Sequence, residues 1–326
     1  MIDFPLWGWA VFAVLLFVML FIDLFAHRGE RADSQRSAIV WSVIWIAVGL
    51  SFGGFIWWKW GAGHAGDYLA AYLIEKSLSV DNLFVFLIVF QSLNIPKQYH
   101  RKVLSWGIFG ALIFRAIFIF LGAAAIERWQ WVAYVFGAIL IYAAIKIFRH
   151  DPAEEEENKA VAWLSRHLPV TKNLHHAHFF VVEGGRRVAT PLLLAVMGLE
   201  ATDIMFAIDS VPAAFSVTTS PFIIYSSNAF AILGLRALYI VLAKSLADLK
   251  YLHFGLAAVL AFAGLKLLTS RIFHIPAWAS ISFIVLTIGA SAWASVRHRN
   301  RLKREQAATG ALGVDDPGHD KDSART

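Results

Sequence analysis

Five acidic residues lie within stretches of the chain that are otherwise apolar. Glu75 and Asp81 fall in one such stretch, and Glu200, Asp203 and Asp209 fall in another. A charged side chain at the centre of a bilayer costs at least about 2.5 to 3.5 kcal/mol. Carboxylates kept at such a cost indicate a site that meets a cation inside a membrane.

Amide side chains accompany these acids. Asn82 follows Asp81 directly, and Asn228 is a weaker candidate ligand in a third apolar stretch. Carboxylate, amide, hydroxyl and carbonyl oxygens are the ligands of hard divalent cations such as Mg²⁺, Ca²⁺ and Mn²⁺. The chain has no Cys, and none of its 12 His lies at the centre of an apolar stretch, so zinc, copper and iron–sulfur sites are poor candidates. The predicted metal ligands are Glu75, Asp81, Asn82, Glu200, Asp203, Asp209 and Asn228.

Basic residues within the apolar stretches offer another interpretation of the same acids. They are Lys76, Arg115, Lys146, Arg236 and Lys266. Five bases could neutralise five acids and merely hold helices together. Ion pairs inside a membrane usually mark pathways, so we favour a functional site in which Arg115 and Arg236 act as structural partners or gates. A proton-relay role for one of the acids stays open.

Composition identifies an integral membrane protein. Of the 326 residues, 58% are hydrophobic and 16% are charged, with a mean hydropathy of +0.60, whereas soluble domains are about 25% charged. A helical span needs about 20 mostly apolar residues. We therefore predict an all-α polytopic membrane protein with about nine transmembrane helices. The predicted spans are residues 7–25, 38–58, 68–93, 103–124, 130–148, 189–212, 221–243, 251–269 and 277–296.

Basic residues between the spans predict the orientation. They concentrate in alternate loops, and the opposite set of loops holds only Lys59, Arg128 and Arg271. Because Lys and Arg accumulate in cytoplasmic loops, the N-terminus is predicted outside and the C-terminus in the cytoplasm. The net charge of +6 follows from this loop bias, and we expect no nucleic-acid partner.

Weak internal similarity predicts an inverted repeat of three-helix units. Residues 114–119 resemble 235–240, residues 142–147 resemble 262–267, and the two acidic stretches match in the same order. The units cover approximately residues 68–148 and 189–269. An odd number of spans inverts the second unit, as in secondary transporters with a midplane site. The first, second and ninth spans are then peripheral.

The predicted transmembrane transporter domain covers residues 1–304, and a tail follows it. The loop 149–188 is predicted to be a solvated cytoplasmic segment, and residues 305–326 a disordered cytoplasmic tail. The loop holds His175, His176 and His178, which we expect to be solvated, with metal sampling or pH sensing as the less favoured role.

Helical geometry makes it difficult for one straight helix to aim all of its acids at one point. Six residues separate Glu75 from Asp81 and Asp203 from Asp209, a rotation of about 600°. Neighbouring hydroxyl and amide residues, with Pro212 nearby, predict a locally unwound or kinked segment. Freed backbone carbonyls would then serve as additional ligands.

Three segments resemble a known family. Residues 75–82 (EKSLSVDN) are similar to the E-x-S-L-S-x-D-N motif of the TerC/Alx family of bacterial membrane proteins, within the wider LysE-like transporter group. Residues 200–213 (EATDIMFAIDSVPA) and 227–239 (SNAFAILGLRALY) match as well. The resemblance covers roughly residues 5–300. It implies a multi-pass protein of the bacterial cytoplasmic (inner) membrane.

The same resemblance carries functional expectations. Family members are associated with manganese efflux, alkaline-pH-linked expression, metal supply to exported proteins and tellurite resistance. The family's intramembrane acids correspond here to Glu75, Asp81, Glu200, Asp203 and Asp209, with Asn82 beside them. No departure from the family pattern occurs at these positions.

Together these patterns predict a divalent cation exporter without enzymatic activity or a bound cofactor. Mn²⁺ is the favoured ion, and proton antiport is the expected driving force, because no nucleotide-binding motif is present. The first alternative is a membrane-embedded sensor or anchor in tellurite or alkaline-pH stress. A carrier of oxyanions such as tellurite is disfavoured, because five carboxylates would repel an anion. The expected partners are the lipid bilayer, a divalent ion and protons, and the oligomeric state stays open.

Overall fold

The computed structural model describes residues 4–26, 35–149, 171, 178–183, 185–242, 252–270 and 275–312. Within them the chain forms ten α-helices and one β-hairpin. The helices are α1 (Leu6–Ala26), α2 (Gln35–Trp60), α3 (Ala62–Ser92), α4 (Lys97–Arg128), α5 (Val132–Arg149), α6 (Pro191–Phe215), α7 (Pro221–Ile232), α8 (Leu235–Leu242), α9 (Leu252–Thr269) and α10 (Ala277–Leu312). The hairpin pairs β1 (Phe180–Glu183) with β2 (Arg186–Ala189).

The predicted all-α membrane fold is confirmed. Each of the nine apolar segments coincides with a helix, except that the seventh is divided into α7 and α8. Six segments of the described chain are long and apolar enough to cross a bilayer, and α5 and α9 are shorter apolar helices. The acidic α3 has 31 residues, a length of about 46 Å. The count of nine spans and their orientation stay predictions.

Proline and asparagine set several helix boundaries. Pro191 and Pro221 occupy the first turns of α6 and α7, where a missing N–H costs nothing. After α3, Asn94 takes a left-handed conformation with φ 48°. Pro96 then precedes α4 with φ −62° and ψ 142°. A short turn therefore connects the end of α3 to the start of α4.

The division between α7 and α8 occurs at Gly234. Its φ of 82° is a conformation that residues with a side chain seldom adopt. A Cβ at Gly234 would lie 2.7 Å from the side chain of Trp45 on α2. Lys76 on α3 donates a hydrogen bond of 3.0 Å to the carbonyl of Ala231 at the end of α7. This half-buried lysine thus satisfies one of the carbonyls that the interruption releases.

Burial separates a central group of helices from peripheral ones. The segment that contains α7 and α8 is 83% buried, whereas the apolar windows of α1, α2 and α10 are 28%, 22% and 17% buried. The predicted peripheral placement of the first, second and ninth spans agrees with these values. Around the centre, α3 packs against α6 and α7, and α4 packs against the same two helices.

Close packing of small residues joins α5 to α9. A Cβ at Gly264 would lie 2.9 Å from the carbonyl oxygen of Gly137 and 3.0 Å from Leu140 Cβ. Glycines allow two backbones to approach in this way, and such contacts drive helix association in membranes. The α5–α9 contact joins the third helices of the two predicted repeat units.

Three local findings differ from, or add to, the sequence predictions. Both α3 and α6 are continuous helices through their acidic residues, so the predicted local unwinding is wrong. The hairpin occupies the end of the predicted connector 149–188 and extends one residue beyond it, to Ala189. Helix α10 runs to Leu312, beyond the predicted start of the tail at residue 305. Residues 313–326, His175 and His176 lie outside the described residues, whereas His178 is exposed.

Candidate functional site

Three helices converge on the side chain of Arg115, which lies near the middle of α4. Its Nη2 donates to Asp203 Oδ1 at 3.0 Å and its Nε to Asp203 Oδ2 at 3.3 Å, both on α6. Its Nη1 bonds to Glu75 Oε1 on α3 and to Asn228 Oδ1 on α7 at 3.1 Å. Arg115, Glu75, Asp203, Asn228 and Ser210 are called the central cluster below.

Further hydrogen bonds hold Glu75 within the central cluster. The Nδ2 group of Asn228 donates to Glu75 Oε2 at 2.9 Å, so Asn228 bridges the carboxylate and the guanidinium. On α3 itself, Ser79 Oγ donates to Glu75 Oε1 at 3.4 Å. Arg115 Nη1 also lies 3.4 Å from Ser210 Oγ on α6. Every carboxylate oxygen of Glu75 and Asp203 therefore has a hydrogen-bond donor.

The central cluster is buried. Arg115 and Glu75 are each 1% exposed and Asp203 is 5% exposed. Two carboxylates and one guanidinium leave a formal charge of −1 on these three residues. Charges at such depth are tolerated only when they are paired and hydrogen-bonded. The ion pairing that the sequence offered as an alternative is thus present for Glu75 and Asp203.

Other predicted ligands lie on the same helices. Asn82 is buried on α3, seven residues after Glu75, and so lies on the same helical face about 10 Å away. Asp209 is half-buried on α6. Asp81 belongs to α3, and its side chain is outside the described residues.

Glu200 lies one helical turn before Asp203 on α6. Its Oε2 atom is buried and has no hydrogen-bond partner within the described residues. The carboxylate occupies the position where a Cβ would stand at Gly110 on α4. A glycine at that position therefore lets the carboxylate of α6 lie directly against the backbone of α4.

The arrangement places cation-binding groups together without forming a complete metal shell. Among the described side chains, no three His, Asp or Glu residues are close enough to hold a metal ion. Glu75 and Asp203 supply two carboxylates at one point, and Asn228 and Ser210 supply neutral oxygens beside them. The predicted ligands Glu75, Asp203 and Asn228 are thus brought together, and they surround a guanidinium.

A second buried ion pair was missed by the sequence analysis. Arg236 on α8 contacts Asp23 on α1, with 3.0 Å between Nη2 and Oδ1, and both side chains are at most 5% exposed. Arg236 also donates to Ser105 Oγ on α4 at 3.2 Å. Asp23 is an acid in the first predicted span, so the rule that identified the other acids would also have found it. This pair ties the peripheral α1 to the short helix that follows the interruption.

The chain shows clear similarity to known proteins. Residues 60–303 match the family described as "Integral membrane protein TerC family". No solved structure matches the chain.

Relatives cover nearly the whole chain. The membrane protein STKORF319 of Myxococcus xanthus is 45% identical over 291 residues, which are 88% of this chain and 91% of that protein. Alx of Escherichia coli strain K12, whose name proposes a membrane-bound redox modulator, is 39% identical over 89% of this chain and 95% of its own. A membrane protein of Rickettsia bellii is 35% identical over 91% of this chain and its entire own length. The match covers most of the chain and agrees with its apolar helices and buried charges. This chain therefore belongs to the TerC family of multi-pass integral membrane proteins.

Proposed function

We propose that this protein exports a divalent metal cation across the bacterial cytoplasmic membrane, with Mn²⁺ as the favoured substrate. The observation that carries the proposal is the convergence of Glu75 and Asp203 on one buried point from two different helices. Carboxylates buried among apolar helices are costly unless a cation meets them. Such acids are typical of ion pathways in transporters.

The neighbours of the two carboxylates support a hard cation. Asn228 Oδ1 and Ser210 Oγ lie within 3.4 Å of the guanidinium nitrogen Nη1 of Arg115. Amide, hydroxyl and carboxylate oxygens are ligands for Mn²⁺, Mg²⁺ and Ca²⁺. We propose that Asp81, Asn82, Glu200 and Asp209 contribute to the same pathway or to the ligand shell, as the sequence pattern predicts.

Export of a divalent ion needs an energy source. Movement of one charge against the membrane potential costs about 2.3 kcal/mol per 100 mV, so a doubly charged ion costs about 4.6 kcal/mol. Since the sequence has no nucleotide-binding motif, we propose proton antiport. Protons would replace the metal ion on carboxylates of the site during the return step.

The test is metal uptake into everted membrane vesicles. An exporter should load everted vesicles with Mn²⁺, and Asp203→Asn and Asp81→Asn should abolish the uptake. The matched control is Glu127→Gln, which removes an exposed carboxylate at the end of α4 and should transport normally. Collapse of uptake with a proton uncoupler would support antiport. Wild-type vesicles that take up no more Mn²⁺, Ca²⁺ or Mg²⁺ than vesicles without the protein would refute the proposal.

A sensor or anchor is the second candidate, and the β-hairpin favours it. Phe180 and Val182 on β1 are 60% and 68% exposed, so an apolar strand face lies within the connector between α5 and α6. Such a face is suited to a partner protein. A sensor acting through the hairpin should keep its activity in Asp81→Asn. The redox role in the name of Alx could not rest on thiol chemistry here, because the chain has no Cys.

A further inference from the structure

We propose that the guanidinium of Arg115 is a tethered counter-cation with two positions. In the first it pairs with both Glu75 and Asp203, as described above. When the transported ion enters, the guanidinium moves to Glu200 and leaves the carboxylates of Glu75 and Asp203 to the ion. This inference rests on the proposed export function and assigns Glu200 to the arginine and not to the metal ion.

The bonding of the central cluster requires such a movement. Both oxygens of Asp203 accept from Arg115, at 3.0 and 3.3 Å. One oxygen of Glu75 accepts from Arg115 and the other accepts from Asn228. A divalent ion binds carboxylate oxygens at about 2.0 to 2.6 Å. The ion and the guanidinium would therefore compete for the same oxygens, and two cations in contact would repel each other.

Glu200 has the features of the second position. Its Oε2 is buried and has no hydrogen-bond partner within the described residues. It is one helical turn from Asp203, and it lies against Gly110 on α4, the helix that carries Arg115. On α6, Glu200 and Asp203 are about 4.5 Å apart along the helix axis and about 60° apart around it. A guanidinium that already contacts Asp203 would need a shift of about this size to reach Glu200.

The exchange would keep the buried guanidinium paired in both states. Without the guanidinium, an empty site would hold two carboxylates close together with no cation, which is costly. With it, Arg115 pairs with Glu75 and Asp203 when the ion is absent and with Glu200 when the ion is present. The guanidinium would then have a carboxylate partner in each state of the protein.

The first measurement is Mn²⁺ affinity of the purified protein. Arg115→Gln removes the competitor, so the Kd should fall by about tenfold or more, which is expected if the guanidinium vacates the site in about 10% of molecules or fewer. Arg115→Lys should also bind more tightly than wild type, because an ammonium cannot engage both carboxylates as the forked guanidinium does. The lysine variant keeps the positive charge, so it can be measured in place of the glutamine variant if the latter fails to fold.

The second measurement separates an arginine partner from a metal ligand at Glu200. Glu200→Gln in the wild-type background should raise the Mn²⁺ Kd, because the guanidinium loses its alternative partner. In the Arg115→Gln background, Glu200→Gln should change the Kd by less than about twofold. In the Arg115→Lys background, it should change the Kd by less than it does in wild type. Gly110→Ala, which displaces the Glu200 carboxylate, should imitate Glu200→Gln.

The outcomes distinguish this inference from the proposed function. If the wild-type protein neither binds nor transports Mn²⁺, Ca²⁺ or Mg²⁺, the export function fails and the inference fails with it. If wild type transports Mn²⁺ but the Arg115 variants bind it no more tightly, only the inference is overturned. Equal weakening by Glu200→Gln with and without Arg115 would assign Glu200 to the metal ion and would also overturn it.

Discussion

Removing the charge of Asp203 should destabilise the fold through Arg115. The closest contact of the pair is 3.0 Å, for which the Coulomb energy is about 5 kcal/mol at an effective dielectric constant of about 20. Asn at this position keeps one oxygen that can accept from the guanidinium, and such a bond recovers about 1.5 kcal/mol. Asp203→Asn should therefore lower the free energy of unfolding by about 3 to 4 kcal/mol, which falls within the range of about 3 to 5 kcal/mol for removing one partner of a buried pair.

A double-mutant cycle tests whether this loss comes from the pair itself. Reversible unfolding in mixed detergent micelles would be measured for Asp203→Asn, Arg115→Gln and the double variant. The double variant should be more stable than the sum of the single effects predicts, by about 2 kcal/mol or more. Glu127→Gln, at an exposed position on α4, should leave stability unchanged. Additivity within about 0.5 kcal/mol would show that the two side chains do not interact as described.

Three further predictions concern the interrupted helix and its neighbours. Gly234→Ala should destabilise the protein by about 2 kcal/mol and lower its melting temperature, because φ is 82° and Trp45 approaches within 2.7 Å; an unchanged melting temperature would contradict the break. Asp23→Asn should cost about 3 kcal/mol and speed amide exchange in α1, because Arg236 loses a buried carboxylate; unchanged exchange would argue against the tie. Lys76→Gln should cost about 1 to 2 kcal/mol by releasing the carbonyl at the end of α7, measured by unfolding, whereas equal stability would make the bond unimportant.

Hydrophobic segments predicted most of the fold, and the interruption after α7 shows where they could not. The stretch 221–243 is continuously apolar, and Gly is common in transmembrane helices, so nothing local distinguishes Gly234 from a helical glycine. The interruption depends on Trp45 and Lys76, which come from two other helices. Such long-range contacts cannot be read from a hydropathy pattern.

The sequence pointed to residues of the candidate site, but it did not predict how the helices arrange them. The cost of buried charge singled out Glu75 and Asp203, which the structure brings together on Arg115, and their role as metal ligands stays a prediction. The expected unwinding was wrong because the acids of one helix do not all meet at one point in this fold. Each helix presents one acid, and Arg115 on a separate helix joins them. The same cost argument applied to Asp23 would have revealed the second ion pair.

The central cluster also has a consequence for biosynthesis. Arg115 and Asp203 are 88 residues apart, which at the usual rates of translation separates their synthesis by about 4 to 18 s. During this interval, Glu75 is the one carboxylate among the described contacts of Arg115 that has already been synthesised. A nascent chain that stops before α6 would hold an incompletely paired charge within the bilayer. The first half of the protein should therefore depend on the second half, or on the insertion machinery, to remain stably integrated.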